Sequence, residues 1–200
     1  MTNHLIDHLQ QLMSLSQSFQ SFLTKNLTPL EIARGEFLLQ PFQVCERLTF
    51  VGQGRMHAYR KVNGRRITCR FFVPGDLCID PTGYFSGKPS SVYIAPVAGD
   101  CILYELNTTA KAAASQFADW PPLWEKLICS LLLADEDMLL MFRTMSARQR
   151  YEWAHRSYPG MEDAVRMRQF ASWIGLHPVT VYEIEKQDKK LALRKGQKGS

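Results

Sequence analysis

The sequence predicts an α+β chain in which a small antiparallel β-roll or jelly roll is followed by a long helix and a C-terminal pair of helices. Short β-type runs alternate with turn signals between Glu36 and Leu106. From about residue 120 to Met145, apolar residues recur at intervals of four and three. Arg168–Lys186 then spaces its residues as a helix, a sharp turn and a second helix require. With 200 residues and 46% hydrophobic content, the chain can bury a proper core and hold one large or two small domains.

Residues 1 to about 30 read as an amphipathic helix, with Leu5, Leu9, Leu12, Leu15, Phe19, Phe22 and Leu23 on one side. The period then changes. The expected strands are Phe37–Leu39, Leu48–Val51, Met56–Tyr59, Ile67–Val73, Ser91–Ile94 and Cys101–Leu106. Gly35, Gly52, Gly54, Asn63-Gly64, Pro74-Gly75 and Gly99-Asp100 separate them, and Asn63-Gly64 is the strongest hairpin signal.

The long helix starts at Pro121 and Pro122, where a missing N–H is harmless. Leu127, Leu131, Ala134, Met138, Met141 and Met145 form a heptad-like seam expected to meet a partner subunit. Leu132, Leu133, Leu139 and Leu140 give a second apolar face, expected to lie under the chain's own roll. The resulting division is 1–119 for the roll and its N-terminal helix, 120–146 for the dimerisation helix and 147–200 for the C-terminal domain.

In that last segment Phe170, Ala171 and Ile174 fall at helical intervals, and Gly175 permits the turn. Leu176 plugs the turn from inside, and Val181 and Ile184 give the second helix a buried face. His177 and Pro178 open that helix, so the unit has the register of a DNA-binding helix-turn-helix. Charge agrees. From Arg143 onward there are 12 Lys+Arg against 6 Asp+Glu, a net of +6, whereas the formal total is +5, leaving −1 for residues 1–142. Basic character therefore accompanies the motif, as phosphate neutralisation requires.

Other chemistries are poorly provided for. The five cysteines (Cys45, Cys69, Cys78, Cys101 and Cys129) are scattered without a C-x-x-C pair and are expected to be buried thiols. His57 alone falls in the roll, short of the several ligands a metal-dependent jelly-roll enzyme needs, so neither metal, cofactor nor enzymatic activity is expected. No signal peptide or uncharged run of membrane-spanning length is visible, so a cytoplasmic protein without membrane partners is expected.

The order of parts resembles the Crp/Fnr family of bacterial transcription regulators. The resemblance rests on Gly35-Glu36-Phe37-Leu38-Leu39, the Asn63-Gly64 hairpin, the run Arg70–Asp76, the long helix and the C-terminal motif, and it covers residues from about 20 to 187. It implies a sensory domain of the cyclic-nucleotide-binding type, a homodimer through the long helix, and double-stranded promoter DNA as partner.

Departures from the family pattern are specific. Where cyclic-nucleotide binders carry Gly-Glu, this chain has Ile79-Asp80; where they carry Arg-Ser/Thr-Ala, it has Ser90-Ser91-Val92. The arginine that would hold a phosphate is missing, and Lys88 lacks the bidentate fork. Asp80, Lys88, Ser90 and Ser91 are thus expected to line a vestigial pocket that ignores cyclic AMP and cyclic GMP, any small-molecule effector being unidentified. On the reading helix, Pro178-Val179 and Glu183 replace the residues that usually read base edges. Base contacts then fall to His177, Thr180, Tyr182 and Glu183, with Lys186, Lys189 and Lys190 for phosphates. The alternative is a dimeric scaffold that keeps the fold without binding DNA, favoured by the acidic Glu183 and Glu185.

Overall fold

The computed structural model describes residues 2–196. Two helices stand where the sequence predicts one: α1 (Thr2–Leu12) and α2 (Gln17–Asn26). Ser16 causes the break, since its hydroxyl accepts from the Phe19 N–H at 3.3 Å and caps α2. The Ser16 N–H and hydroxyl also donate to the Asp119 carboxylate, at 2.8 and 2.7 Å, which ties the junction to the far end of the roll.

Strand β1 (Leu27–Ile32) follows α2 directly and was hidden in the predicted helix. It carries Pro29, which an edge strand tolerates, and β1 is indeed at the edge of its sheet. The other strands are β2 (Leu48–Gln53), β3 (Met56–Val62), β4 (Arg65–Phe72), β5 (Tyr93–Pro96) and β6 (Cys101–Leu106), with a short helix α3 (Pro81–Ser86) between β4 and β5. They form two antiparallel three-stranded sheets, ordered β1-β6-β2 and β4-β3-β5. The predicted run Phe37–Leu39 contributes only a bridge from Leu39 to Ile94. Asn63 and Gly64 both take positive φ, 49° and 75°, the geometry of a two-residue hairpin turn, and Val62 pairs with Arg65 across it. Between the sheets lie Val51, Met56, Ile94 and Leu103, all fully buried.

Six helices follow the roll among the described residues: α4 (Thr108–Ala114), α5 (Trp120–Thr144), α6 (Ala147–Ser157), α7 (Met161–Ala164), α8 (Met167–Trp173) and α9 (Pro178–Gly196). The two faces of α5 are exchanged relative to expectation. Leu127, Leu131 and Met141 of the expected seam are buried within the chain, Ala134 and Met138 are half-buried, and half-buried Met145 lies just past the helix as its cap. Leu132, Leu133, Leu139 and Leu140 are 63%, 60%, 48% and 49% exposed. Trp120 sets this rotation. It is buried against Phe19, with ring centroids 6.4 Å apart, and Leu123, Leu127 and Leu131 follow it at helical spacing into the same core.

Three cysteines, Cys45, Cys78 and Cys101, are buried as expected, Cys69 is half-buried, and Cys129 is exposed on α5; all five are free. Burial raises the thiol pKa of Cys45, Cys69, Cys78 and Cys101, keeping them protonated near neutrality.

Candidate nucleic-acid interface

The C-terminal helices close over a core of their own. Phe170, Ala171, Trp173, Ile174, Val181 and Ile184 are buried with Tyr151, Ala154, Met161 and Val165, and Phe71 of β4 joins them. Ala171 has no accessible surface, so the helices α8 and α9 approach closely at its small side chain. Gly175 sits between them at φ 66°, a left-handed conformation unfavourable for other residues, and a Cβ there would meet the Phe142 ring at 2.5 Å. The Leu176 N–H closes the turn by donating to the Ala171 carbonyl at 2.8 Å.

Pro178 starts α9 in its first turn, and the His177 ring accepts from the Val179 N–H at 3.3 Å. Val181 and Ile184 turn inward, so the remaining face is left to solvent. Tyr182 is 59% exposed. His177, Glu183, Lys186, Lys189 and Lys190 are exposed as well, and Thr180 is half-buried. Arg148 of α6 fixes the helix from behind by pairing with Asp188 and with Glu152.

Sequence reasoning missed a set of arginines beside this face. A cleft of about 1210 Å³ runs between the β3–β4 hairpin and the α8–α9 turn, lined by Arg34, Arg65, Arg66, Arg166, Arg168, His177 and Val179 among others. None of its arginines forms an ion pair among the described residues. The hairpin is docked there, with the Thr68 N–H donating to Ser172 Oγ at 2.9 Å and Ser172 Oγ donating to the Arg66 carbonyl at 3.4 Å. Arg166 and Arg168 flank the start of α8 in the motif itself, which was the available signal. His57, at the cleft floor, is 3% exposed, with no partner for Nδ1 among the described residues. Burial, with help from the Arg66 charge, lowers its pKa to about 4, so the ring is neutral near pH 7.

The loop after β4 shows the opposite disposition. Asp80 is buried and caps α3, its carboxylate accepting from the Gly83 N–H at 3.3 Å. Ser90 is also buried, and its hydroxyl accepts from the Val92 N–H at 3.1 Å. A Cβ at Gly83 would come within 2.9 Å of the Cys45 nitrogen, so the loop lies tightly on the segment before β2. Lys88 and Ser91 are exposed.

Solved structures share this architecture. FixK2 from Bradyrhizobium japonicum superposes with a TM-score of 0.67 at 20% identity, covering 83% of this chain and 86% of that one. The c-di-GMP-responsive global regulator CLP of Xanthomonas campestris gives 0.66 at 12% identity, over 89% and 94% of the two chains. A transcriptional regulator of the Crp/Fnr family from Eubacterium rectale gives 0.61 at 16% identity, over 88% and 84%. The chain has the Crp/Fnr fold. Within that fold, residues 27–106 form the β-roll and α5 is the long helix that leaves it. No family model matches the sequence. No curated protein matches it either. Among the described residues no helix is long and apolar enough to cross a membrane, and no group of three or more His, Cys, Asp or Glu could hold a metal ion.

Proposed function

We propose that the chain is a DNA-binding transcription regulator that acts as a two-fold dimer and takes neither cyclic AMP nor cyclic GMP. One observation carries this reading: the α8–turn–α9 unit buries Phe170, Ala171, Ile174, Val181 and Ile184 and presents His177, Tyr182, Glu183, Lys186 and Lys189 outward, beside arginines that lack acidic partners among the described residues. A helix so presented can enter the major groove at its N-terminal end. Thr180, Tyr182 and Glu183 then reach base edges, while Lys186, Lys189 and Lys190, with Arg166 and Arg168, meet phosphates. The names of two structural neighbours, a transcriptional regulator and a global regulator of gene expression, support the same class.

The roll, residues 1–119, is the regulatory part of this reading, 120–146 the dimer helix and 147–200 the DNA-binding part. Dimer contact passes to the exposed leucines of α5, because the seam first expected there is buried in the chain's own core. The charge pattern of the loop supports the absence of cyclic-nucleotide binding in this reading. Asp80 and Ser90 are engaged within their own loop, and no arginine stands where a cyclic phosphate would need one.

The test is binding to duplex DNA from the gene's own upstream region across a salt series. Lys186→Ala with Lys189→Ala should weaken binding to every sequence and flatten the salt dependence by about one unit per lost contact. Thr180→Ala with Glu183→Ala should instead reduce discrimination against random DNA by about 1–3 kcal/mol per lost base contact. A wild-type protein without salt-dependent affinity for any duplex would leave the dimeric scaffold as the reading, which Glu183 and Glu185 on α9 would then favour.

A further inference from the structure

The cations of the roll are concentrated around its β3–β4 hairpin. Residues 1–142 carry a formal net charge of −1, yet the run from Arg47 to Gly75 holds seven Arg and Lys and no Asp or Glu. Four of the seven, Arg60, Lys61, Arg65 and Arg66, flank the Asn63-Gly64 turn, and all four are exposed. Lys61 and Arg66 pair across the hairpin and so share one face of the sheet. The Arg66 guanidinium lies 5.2 Å from the centre of the Tyr59 ring and the Lys61 ammonium 4.7 Å from that of Tyr93, and the two rings are stacked with centres 4.9 Å apart. Ring faces hold these two cations in place and leave their charge standing, whereas a carboxylate partner would have cancelled it.

The hairpin borders the arginine cleft. Arg34, Arg65 and Arg66 line that cleft from the roll, and Arg166 and Arg168 line it from the start of α8. Glu36 is the one acid in the lining, and its carboxylate accepts from the Ala33 N–H at 2.9 Å. The first turn of α9, His177 to Val179, lies on the same cleft. Because the hairpin is bonded to Ser172 of α8, the two sets of arginines are fixed relative to one another. At about 1210 Å³ the cleft is larger than the usual small-molecule site of about 300–1,000 Å³. Its spread of arginines suits a row of anions, and duplex DNA offers one negative charge per roughly 1.7 Å of its axis. When a reading helix enters the major groove by its N-terminal end, the helix before it crosses the phosphate backbone. A backbone crossing α8 then meets the hairpin docked beside it.

We propose that the β3–β4 hairpin and Arg34 form a second DNA-contacting surface, in which Arg34, Arg65 and Arg66 hold phosphates flanking the bases read by α9. The inference rests on the DNA-binding reading above and adds the roll itself to the interface. Such contacts raise affinity for every sequence alike, since phosphates carry no base identity. Full affinity then requires the roll and α8 to be docked as they are here.

Fluorescence anisotropy of the full chain with two labelled duplexes, one from the gene's own upstream region and one of random sequence, tests this across a salt series. Arg65→Gln with Arg66→Gln should weaken both complexes and flatten the salt dependence by about 2 units, at about 0.9 per lost phosphate contact. Arg34→Gln should flatten it by about one unit. Lys25→Gln with Lys126→Gln removes two exposed cations outside the cleft and should change the slope by no more than about 0.5 unit, because distant charges are screened. Far-ultraviolet circular dichroism of the variants should match wild type, and a variant that fails this leaves the other to decide. The proposal is overturned if either folded cleft variant keeps the wild-type slope, or if the Lys25 and Lys126 pair flattens it as much as the hairpin pair does. A wild-type protein without salt-dependent affinity for either duplex overturns the DNA-binding reading and this inference with it, whereas unchanged variants beside a binding wild type overturn this inference alone. Calorimetry with tripolyphosphate covers the other occupant. Saturable binding that the hairpin variant abolishes, with the DNA slope unchanged, would assign the cleft to a small polyanion and overturn the proposal.

Discussion

Asp80 and Ser90, at the two ends of the loop after β4, turn their polar side chains inward, and the polar residues in the first turns of α9 turn theirs outward. In the loop, Asp80 and Ser90 are buried and bonded to neighbouring backbone N–H groups. On α9, Tyr182, Glu183 and the lysines face solvent, with hydrophobic residues filling the inner face. A polar group bonded inside its own loop has little left for a ligand, whereas one held outward on a packed helix has its full capacity. Helix α5 shows both behaviours at once, with Leu127 and Leu131 inward and Leu132, Leu133, Leu139 and Leu140 outward.

The outward leucines give the largest expected effect. Large side chains contribute about 1.5–3 kcal/mol each when fully buried, and a two-fold contact would bury every one twice. Leu133→Asp with Leu140→Asp should convert a dimer to monomers in light scattering with no loss of helix content. The same substitutions at Leu127 and Leu131 should unfold the chain. A double variant at 133 and 140 that remains dimeric would show that this face is not the contact.

Next comes the core that holds α9 outward. Phe170→Ala removes a fully buried ring packed edge-on against Tyr151, with centroids 6.2 Å apart. A loss of about 3–5 kcal/mol is expected in urea unfolding. Because Phe71 of β4 belongs to the same cluster, the roll and the C-terminal helices should lose stability together. Separate transitions, with the roll unaffected, would mean that the docked hairpin does not couple the two.

How much of this was legible in the sequence depends on how many partners a residue's period leaves open. Phe170, Ala171, Ile174, Val181 and Ile184 were all expected inside and all are, because the tight glycine turn at Gly175 fixes how the two helices face each other. The hairpin at Asn63-Gly64 was equally determined by its turn. On α5 two apolar stripes satisfied the helical period, and only the docking of Trp120 against Phe19, a contact over a hundred residues apart in sequence, decides which goes inside. Strand β1 was missed although Pro29 signals the end of a helix, because Leu27 and Leu30 continue the apolar helical spacing; its strand character is completed by pairing with β6. The arginine cleft depends on a similar long-range meeting, of Arg65 and Arg66 with Arg166 and Arg168.

His57 provides a third effect, set by pH. Its folded pKa is about 4 against 6.5 for the free side chain, so the unfolded chain binds the proton more readily between those values. Stability should be fully present above pH 6.5 and decline as pH falls toward 4, by about 3 kcal/mol in total if this group acts alone. Replacing the ring by a non-titrating one, His57→Phe, should flatten that part of the urea-midpoint profile. An unchanged slope would assign the acid sensitivity to other groups and would put the ring's neutrality in the folded protein in doubt.

The smallest effects separate the inward and outward polar groups most directly. Asp80→Ala removes a buried helix cap and should cost about 1 kcal/mol, the usual value for losing a side-chain bond to the first turn. Tyr182→Ala and Lys186→Ala remove exposed groups from α9 and should change stability by no more than about 0.5 kcal/mol. Chemical denaturation of the three single variants under one set of conditions measures the contrast. If Asp80→Ala is neutral, the cap is too weak to account for the closed loop, and the carboxylate would be free to serve a ligand. If Tyr182→Ala costs as much as a buried residue, its ring packs onto the protein in solution. It would then be removed from any base edge, and Thr180 and Glu183 would have to supply the sequence reading between them.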